Sequence, residues 1–411
     1  MPMGVNIIME AWQRNLYVLC AALFVVMLGM SMIMPFLPLY IQQDFGISDP
    51  HEVTAWAGVI FGANFLTAGI VSPIWGNLAD KYGRKIMILR SGFSMSVIVA
   101  LTGFANSIWM LLGLRLLNGT VGGIIPASTA LIASTAPQER AGWAQGMLQS
   151  FVTAGSIMGP LAGGLLADRI GFRMIFVVTG SLIFLATLTV TFLVKETFVR
   201  PEAEERTSLV QDARIIFSTR PLPAIFLVTV MIQFALFSII PVLPIYVQSL
   251  QGTGENVAFY AGLVAAAMGA ANVLASPQLG KLGDRYGSQK ILLICLVVAA
   301  VLFIPQALVS TVWQLIGLRF LLGLCLGGLL PSVYALLRRF TPTEMISRVY
   351  GYNNSFISVG SMLGPMIGGF MAGYVSMSGV FLLTSALLFV NAIWVFVSLA
   401  RLRSPEKVKV T

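Results

Sequence analysis

Two arginines, Arg115 and Arg319, stand inside long apolar runs in matching contexts, Gly113-Leu114-Arg115 and Gly317-Leu318-Arg319. A guanidinium carried into hydrocarbon costs about 2.5 kcal/mol or more, so it needs polar partners or a function. Around Arg115, the residues Asn118, Gly119, Gly122 and Gly123 offer polar contact and close backbone approach. An arginine so placed can favour an anionic solute. It can equally bond backbone carbonyls and simply hold helices together. Arg319 lacks the asparagine and reads as structural.

The acidic residues sit elsewhere. All sixteen, Asp80, Asp168 and Asp284 among them, fall at helix ends or in loops. No carboxylate stands near the middle of an apolar run, where it could exchange a proton against a cationic solute. Two intramembrane arginines without a midplane acid fit neutral, amphipathic or anionic solutes better. Cys20, Cys295 and Cys325 lie singly in apolar stretches and read as small buried hydrophobes. The lone histidine, His51, sits between Asp49 and Glu52 as a solvated side chain. No spacing of a metal site and no Gly-x4-Gly-Lys-[Ser/Thr] loop occurs, so neither a metal, a cofactor, ATP drive nor enzyme chemistry is expected.

The elements that must carry these residues are membrane helices. Of 411 residues 57% are apolar and only 10% charged, against roughly 25% charged in soluble domains. Runs of about 20 apolar residues are long enough to cross a bilayer. They fall at 16–40, 55–78, 86–104, 108–130, 141–167 and 172–194, then at 222–249, 257–280, 290–308, 312–337, 346–373 and 378–400. Continuous rather than alternating apolarity makes these helices, not barrel strands. The net charge of +9 forms no soluble basic module, so nucleic acid is not an expected partner. With the N-terminus in the cytoplasm, 21 of the 25 Lys and Arg residues fall in cytoplasmic loops and tails. Both termini are then cytoplasmic.

The chain also repeats itself. Met34-Pro35-Phe36-Leu37-Pro38-Leu39-Tyr40 returns as Ile240-Pro241-Val242-Leu243-Pro244-Ile245-Tyr246, and Gly76-Asn77-Leu78-Ala79-Asp80-Lys81-Tyr82-Gly83 as Gly280-Lys281-Leu282-Gly283-Asp284-Arg285-Tyr286-Gly287. Gly155-x3-Gly159-Pro160-x2-Gly163-Gly164 returns as Gly360-x3-Gly364-Pro365-x2-Gly368-Gly369. With the arginine pair, the offsets are 206, 204, 205 and 204. A duplicated unit of six helices follows, with the copies related by an axis along the membrane normal. The organisation is a bundle at 1–194, a cytoplasmic loop at 195–220, a second bundle at 221–400 and a basic tail at 401–411 against the inner leaflet.

These motifs and their order resemble the major facilitator superfamily, and within it the bacterial twelve-helix drug:proton antiporters. The resemblance implies an all-α membrane fold of two six-helix bundles related by a pseudo-twofold axis. It implies that Gly76, Asp80, Gly83 and Arg84 form a state-dependent lock between the halves. The copy keeps Asp284 and Arg285 but has Ser288 in the arginine's place, and should lock more weakly. Arg115 becomes a proton-coupling candidate, and Gly155, Gly159, Pro160, Gly163 and Gly164 become the antiporter helix at the interface between halves. Pro35, Pro38, Pro241 and Pro244 should kink the outer ends of the first and seventh spans, as hinges or as static bends. A cavity between the halves would draw on Met34, Asn64, Gln145, Gln149, Gln233, Phe237, Asn272, Asn353 and Asn354. The first span's methionines add adaptable surface. The function expected is export of amphipathic drugs or toxic small molecules, driven by protons and carried out by a monomer in the cell membrane. The alternative is a transporter of one metabolite, a sugar or an anion. The loop at 195–220 should serve as a flexible tether.

Overall fold

The structure is a computed structural model that describes residues 11–196, 209–219, 221–251, 256–341 and 345–400. Among them are twelve helices long and apolar enough to cross a membrane: Ala11–Asp44, Pro50–Ser72, Arg84–Thr102, Ile108–Thr135, Trp143–Ile170, Phe172–Leu193, Leu222–Gln251, Val257–Tyr286, Ser288–Gln306, Val312–Phe340, Arg348–Tyr374 and Met377–Ser398. They coincide one for one with the runs read from sequence. We number them as spans one to twelve.

Local chemistry sets their ends. Ser107 and Thr311, at equivalent places in the repeat, accept hydrogen bonds from the backbone N–H groups of Met110 at 3.2 Å and Gln314 at 3.4 Å, capping spans four and ten. Gly83 and Gly287 turn the chain between spans two and three and between eight and nine, with φ of 96° and 99°. A side chain at either would be strained in that left-handed region.

Four spans depart from straight rods as their residues require. In the first, a 3-10 turn at Met34–Phe36 precedes the helix Leu37–Asp44. In the seventh, helix ends at Ser238 and resumes at Leu243. Both breaks fall at the Pro-x-x-Pro pairs. Span four is broken between Val121 and Ile124, at Gly122-Gly123. Span ten divides at Gly327-Gly328, the equivalent pair.

The spans pack as two six-helix bundles. Within the first, span one packs on five and six, and two on four; within the second, span seven packs on eleven and twelve, and eight on ten. The bundles meet along two seams, span two against eleven and span five against eight.

One expectation needs correcting. The segment between the bundles is not wholly a tether, because Leu209–Ser218 is a helix. Its Phe217 ring stacks edge-on against Phe226, Tyr352 and Phe356, with centroids 6.2–6.4 Å apart. Apolar residues at helical spacing in a nominal loop carried that signal. At the other end of the same segment, Asn15 clamps Lys195, donating to its carbonyl at 2.7 Å and accepting from its N–H at 3.0 Å. The tail at 401–411 lies outside the described residues.

Candidate functional site: the seams and the cavity between the bundles

Each seam is closed at one end and open at the other. We call the end carrying the Gly76–Arg84 loop and its copy the basic end. At the opposite, far end, a side chain on Gly262 of span eight would meet the carbonyl of Pro160 on span five. One on Gly58 of span two would meet the carbonyl of Pro365 on span eleven. The two contacts are copies of each other, since both members are displaced by about one repeat length. Gly164 lies equally close to Ala258 and Phe259, and Gly369 to Thr54. Backbones this close form the dense, small-residue contacts by which helices associate in lipid.

The five-residue motif thus splits between two faces. Gly155, Gly159 and Gly163 lie against Phe24, Leu28 and Met32 of span one, inside their own bundle. The Ser31 hydroxyl crosses that contact to donate to the Gly155 carbonyl at 3.1 Å. Pro160 and Gly164 alone look across the seam. In span eleven, Gly360, Gly364 and Gly368 likewise face span seven, and Pro365 and Gly369 face span two. Span five lies along the seam, but of its five motif residues only Pro160 and Gly164 touch the other half.

Toward the basic end the spans part. Gly76, Gly146, Gly280 and Gly351 have no atom within 4 Å of where a side chain would begin. Exposed polar side chains line the parted helices: Gln149 and Ser150 on span five, and Asn354 and Ser355 one repeat later on span eleven. Polar groups left open on a spanning helix mark a water-filled space rather than lipid. The closed end of this space is crossed by Phe65 and Phe237, edge to face with centroids 5.3 Å apart.

Arg115 and Arg319 occupy equivalent burials. They are 7% and 4% exposed, and in both the Nε and Nη2 atoms have no hydrogen-bond partner. Arg115 lies 5.6 Å from the ring centre of Phe176, and Arg319 lies 5.7 Å from that of Phe381. Each of those rings leans on a tyrosine, Tyr40 at 4.9 Å and Tyr246 at 5.0 Å. The tyrosine hydroxyls donate to the carbonyls of Thr102 at 3.0 Å and Gln306 at 2.9 Å. Cation–π contact replaces a counter-ion in both bundles. Asn118 does not reach for the arginine; it donates to Asn64 Oδ1 at 3.0 Å.

The model of the Major Facilitator Superfamily matches this sequence twice, over residues 19–270 and 225–411. The chain belongs to the Major Facilitator Superfamily. It is 41% identical over 392 residues to the multidrug resistance protein MdtG of Salmonella typhimurium strain LT2, across 95% of this chain and 97% of that one. The protein of the same name from Salmonella paratyphi A is equally similar, with the same coverage. Among solved structures, a bacterial homolog of the human lysosomal transporter Spinster, inward-facing and unoccupied, superposes with a TM-score of 0.79 at 16% identity, covering 97% of this chain and 99% of that one. The nucleoside transporter NupG gives 0.76 at 15% identity, covering 93% and 98%. These likenesses establish the fold.

As a major facilitator, the chain shows where its sequence-predicted residues stand. In the loop, Arg84 and Lys85 present their backbone N–H groups to the two oxygens of Glu196, at 3.0 and 2.7 Å. Glu196 therefore caps span three from the end of span six, which motif reading missed. The Asp80 side chain lies outside the described residues; Asp284 and Arg285 are exposed, and Arg285 sits over Tyr286 at 5.3 Å. Of the cavity residues, Gln149 and Asn354 face the open space, and Phe237 reaches its closed end. Gln145 is turned to donate to the Thr129 carbonyl at 2.7 Å. Gln233 and Asn353 are buried within their own bundle, paired with Ser361 at 3.5 Å and Thr229 at 2.9 Å. Met34 belongs to the turn in span one, and Asn272 runs beside Gly327 in span eight's own bundle. His51 is not merely solvated: its Nδ1 lies 3.2 Å from the Ala372 carbonyl oxygen, across the seam between spans two and eleven.

Proposed function

We propose that this protein exports amphipathic small molecules across the membrane in exchange for protons, by alternating access of the space between the bundles. The observation that carries the reading is the 41% identity to a multidrug resistance protein over 95% of the chain. The geometry supports it physically. Two bundles that meet at glycine–proline seams can rock, and the space between them has exposed polar residues on its walls and an aromatic pair at its closed end.

The basic end is the cytoplasmic one, because Lys81, Arg84, Lys85, Lys281, Arg285, Arg338 and Arg339 all lie there. Both termini are then cytoplasmic, and the closed seams face outward. Solute enters from the cytoplasm and leaves when the seams open. The carrier works as a monomer, without cofactor or metal, and the proton gradient biases its cycle. Protons and solute shift the balance only by binding the two states differently. Arg115, buried without an anionic partner, is the coupling candidate.

Everted membrane vesicles with an acidic interior test the reading. Accumulation of several unrelated neutral, anionic and cationic amphipathic dyes, abolished by nigericin, is the result expected. If none accumulates while folded protein is present, the chain transports a single sugar or anion instead.

A further inference from the structure

Spans two and eight begin at equivalent places, one at each seam, but their first turns are held differently. Span two is capped by its own Asp49, which accepts from the His51 N–H at 3.0 Å. Span eight follows Asn256, which sits in the left-handed region at φ 71° and makes no side-chain cap bond. The carboxylate that serves its first turn comes from the other bundle: Asp168, near the end of span five, accepts from the Phe259 N–H at 3.2 Å. Gly164 and Pro160, one and two turns earlier on the same helix, make the closest contacts of that seam.

From this geometry we propose that Asp168 is a proton-operated latch on the outer seam, so that outside acidity itself releases the gate. The ionised carboxylate is the preferred partner of a helix N-terminus, whose free N–H groups and dipole are positive. Opening the seam pulls Asp168 off span eight and leaves that first turn uncapped, so the anion favours the closed state. A proton taken from the outer side removes the charge and weakens the acceptor, and the closed state loses this advantage. Asp168 is exposed, so outside water reaches it without any movement. It stays on the outer surface in both states; it biases the cycle rather than carrying a proton across.

The other ionisable groups around it are few. Its own helix adds the exposed Arg169, span eight brings Tyr260, and span six begins with Arg173, which is engaged by Asp44 at 2.7 Å. Glu255, ahead of span eight, lies outside the described residues. On the opposite seam His51 also touches across the interface, so the test is made in a His51→Gln background.

The inference rests on the alternating-access part of the reading above, not on the solute or on drug breadth. The test therefore needs no transport. Spin labels on cysteines at Arg169 and Ser310 report the outer distance between the bundles in detergent or nanodiscs. In the His51→Gln protein, the fraction with the long distance should rise as pH falls through the carboxylate range. Asp168→Asn, which keeps the side-chain shape and an accepting oxygen without the charge, should raise that fraction about two- to fivefold at neutral pH, as loss of a charge–dipole interaction worth about 0.3–1 kcal/mol implies. It should also flatten the pH profile, and Asp168→Glu should restore it. A melting temperature near that of the parent shows that the fold survives. A distance distribution that ignores pH, or an Asp168→Asn protein that titrates like its parent, overturns the proposal.

Discussion

The carbonyl of Pro160 on span five sits over Gly262 on span eight, with no room for a side chain between them. Pro365 and Gly58 repeat the relationship at the other seam. Closure of the far ends of the seams therefore rests in large part on two symmetric pairs. Overpacking a tight contact costs about 1–3 kcal/mol. Here the cost falls on the closed state alone, since opening separates the pair.

Gly262→Ala and Gly58→Ala should accordingly favour the state with the outer seam open. A cysteine placed at Ile157, deep in the seam, should react faster from outside with a membrane-impermeant maleimide in either variant. Equal rates in variant and parent would show that the seam relaxes around the added methyl.

Arg115 and Arg319 are buried alike, each with unpaired Nε and Nη2, so their stability effects should be alike too. Replacing a poorly compensated buried charge by an apolar side chain is often neutral or stabilising by about 1–4 kcal/mol. Arg115→Met and Arg319→Met should both keep or raise the melting temperature of the purified protein. Only Arg115→Met should abolish proton-driven accumulation in vesicles. Loss of transport in both would make the pair a matched functional set.

Glu196 caps the first turn of span three through two short bonds. Glu196→Ala should lower stability by about 1 kcal/mol, as loss of other caps does, and Glu196→Gln by less. Thermal unfolding of the three proteins checks the order.

Gln149 and Asn353 separate cavity from core. Gln149 stands on the open wall, whereas Asn353 is fully buried and accepts from Thr229. Gln149→Ala should change the apparent KM for some solutes and leave stability alone. Asn353→Ala removes that bond, leaving the Thr229 hydroxyl only the Ile225 carbonyl at 3.2 Å, and should lower the melting temperature by the equivalent of about 0.5–1.5 kcal/mol, the net contribution of one buried hydrogen bond.

The architecture was largely legible because membrane helices announce themselves: each span is a continuous apolar run, and the repeat fixes their number and pairing. The proline pairs at 35, 38, 241 and 244 likewise predicted the breaks in spans one and seven. The site was less legible, because a polar residue's direction depends on helix rotation. Gln233 and Asn353 satisfy the same composition rule as Gln149 and Asn354, yet face inward. The seam partners Gly58 and Gly262 carried a usable signal, their spacing of 204 residues, within the repeat already recognised. Nothing in the sequence paired Glu196 with Arg84 or Asp168 with Phe259, since such contacts arise only when distant ends are brought together.

The clamp of Asn15 on Lys195 and the docking of Phe217 on the second bundle together fix both ends of the chain that joins the halves. Between Glu196 and the helix that starts at Leu209 run only twelve residues, Thr197 to Ser208. Fully extended they reach about 40 Å at most. That number of residues alone sets an upper limit on how far the basic ends of the two bundles can separate, whatever the solute. Shortening the joining segment residue by residue should leave transport untouched until that limit binds, and then stop it abruptly.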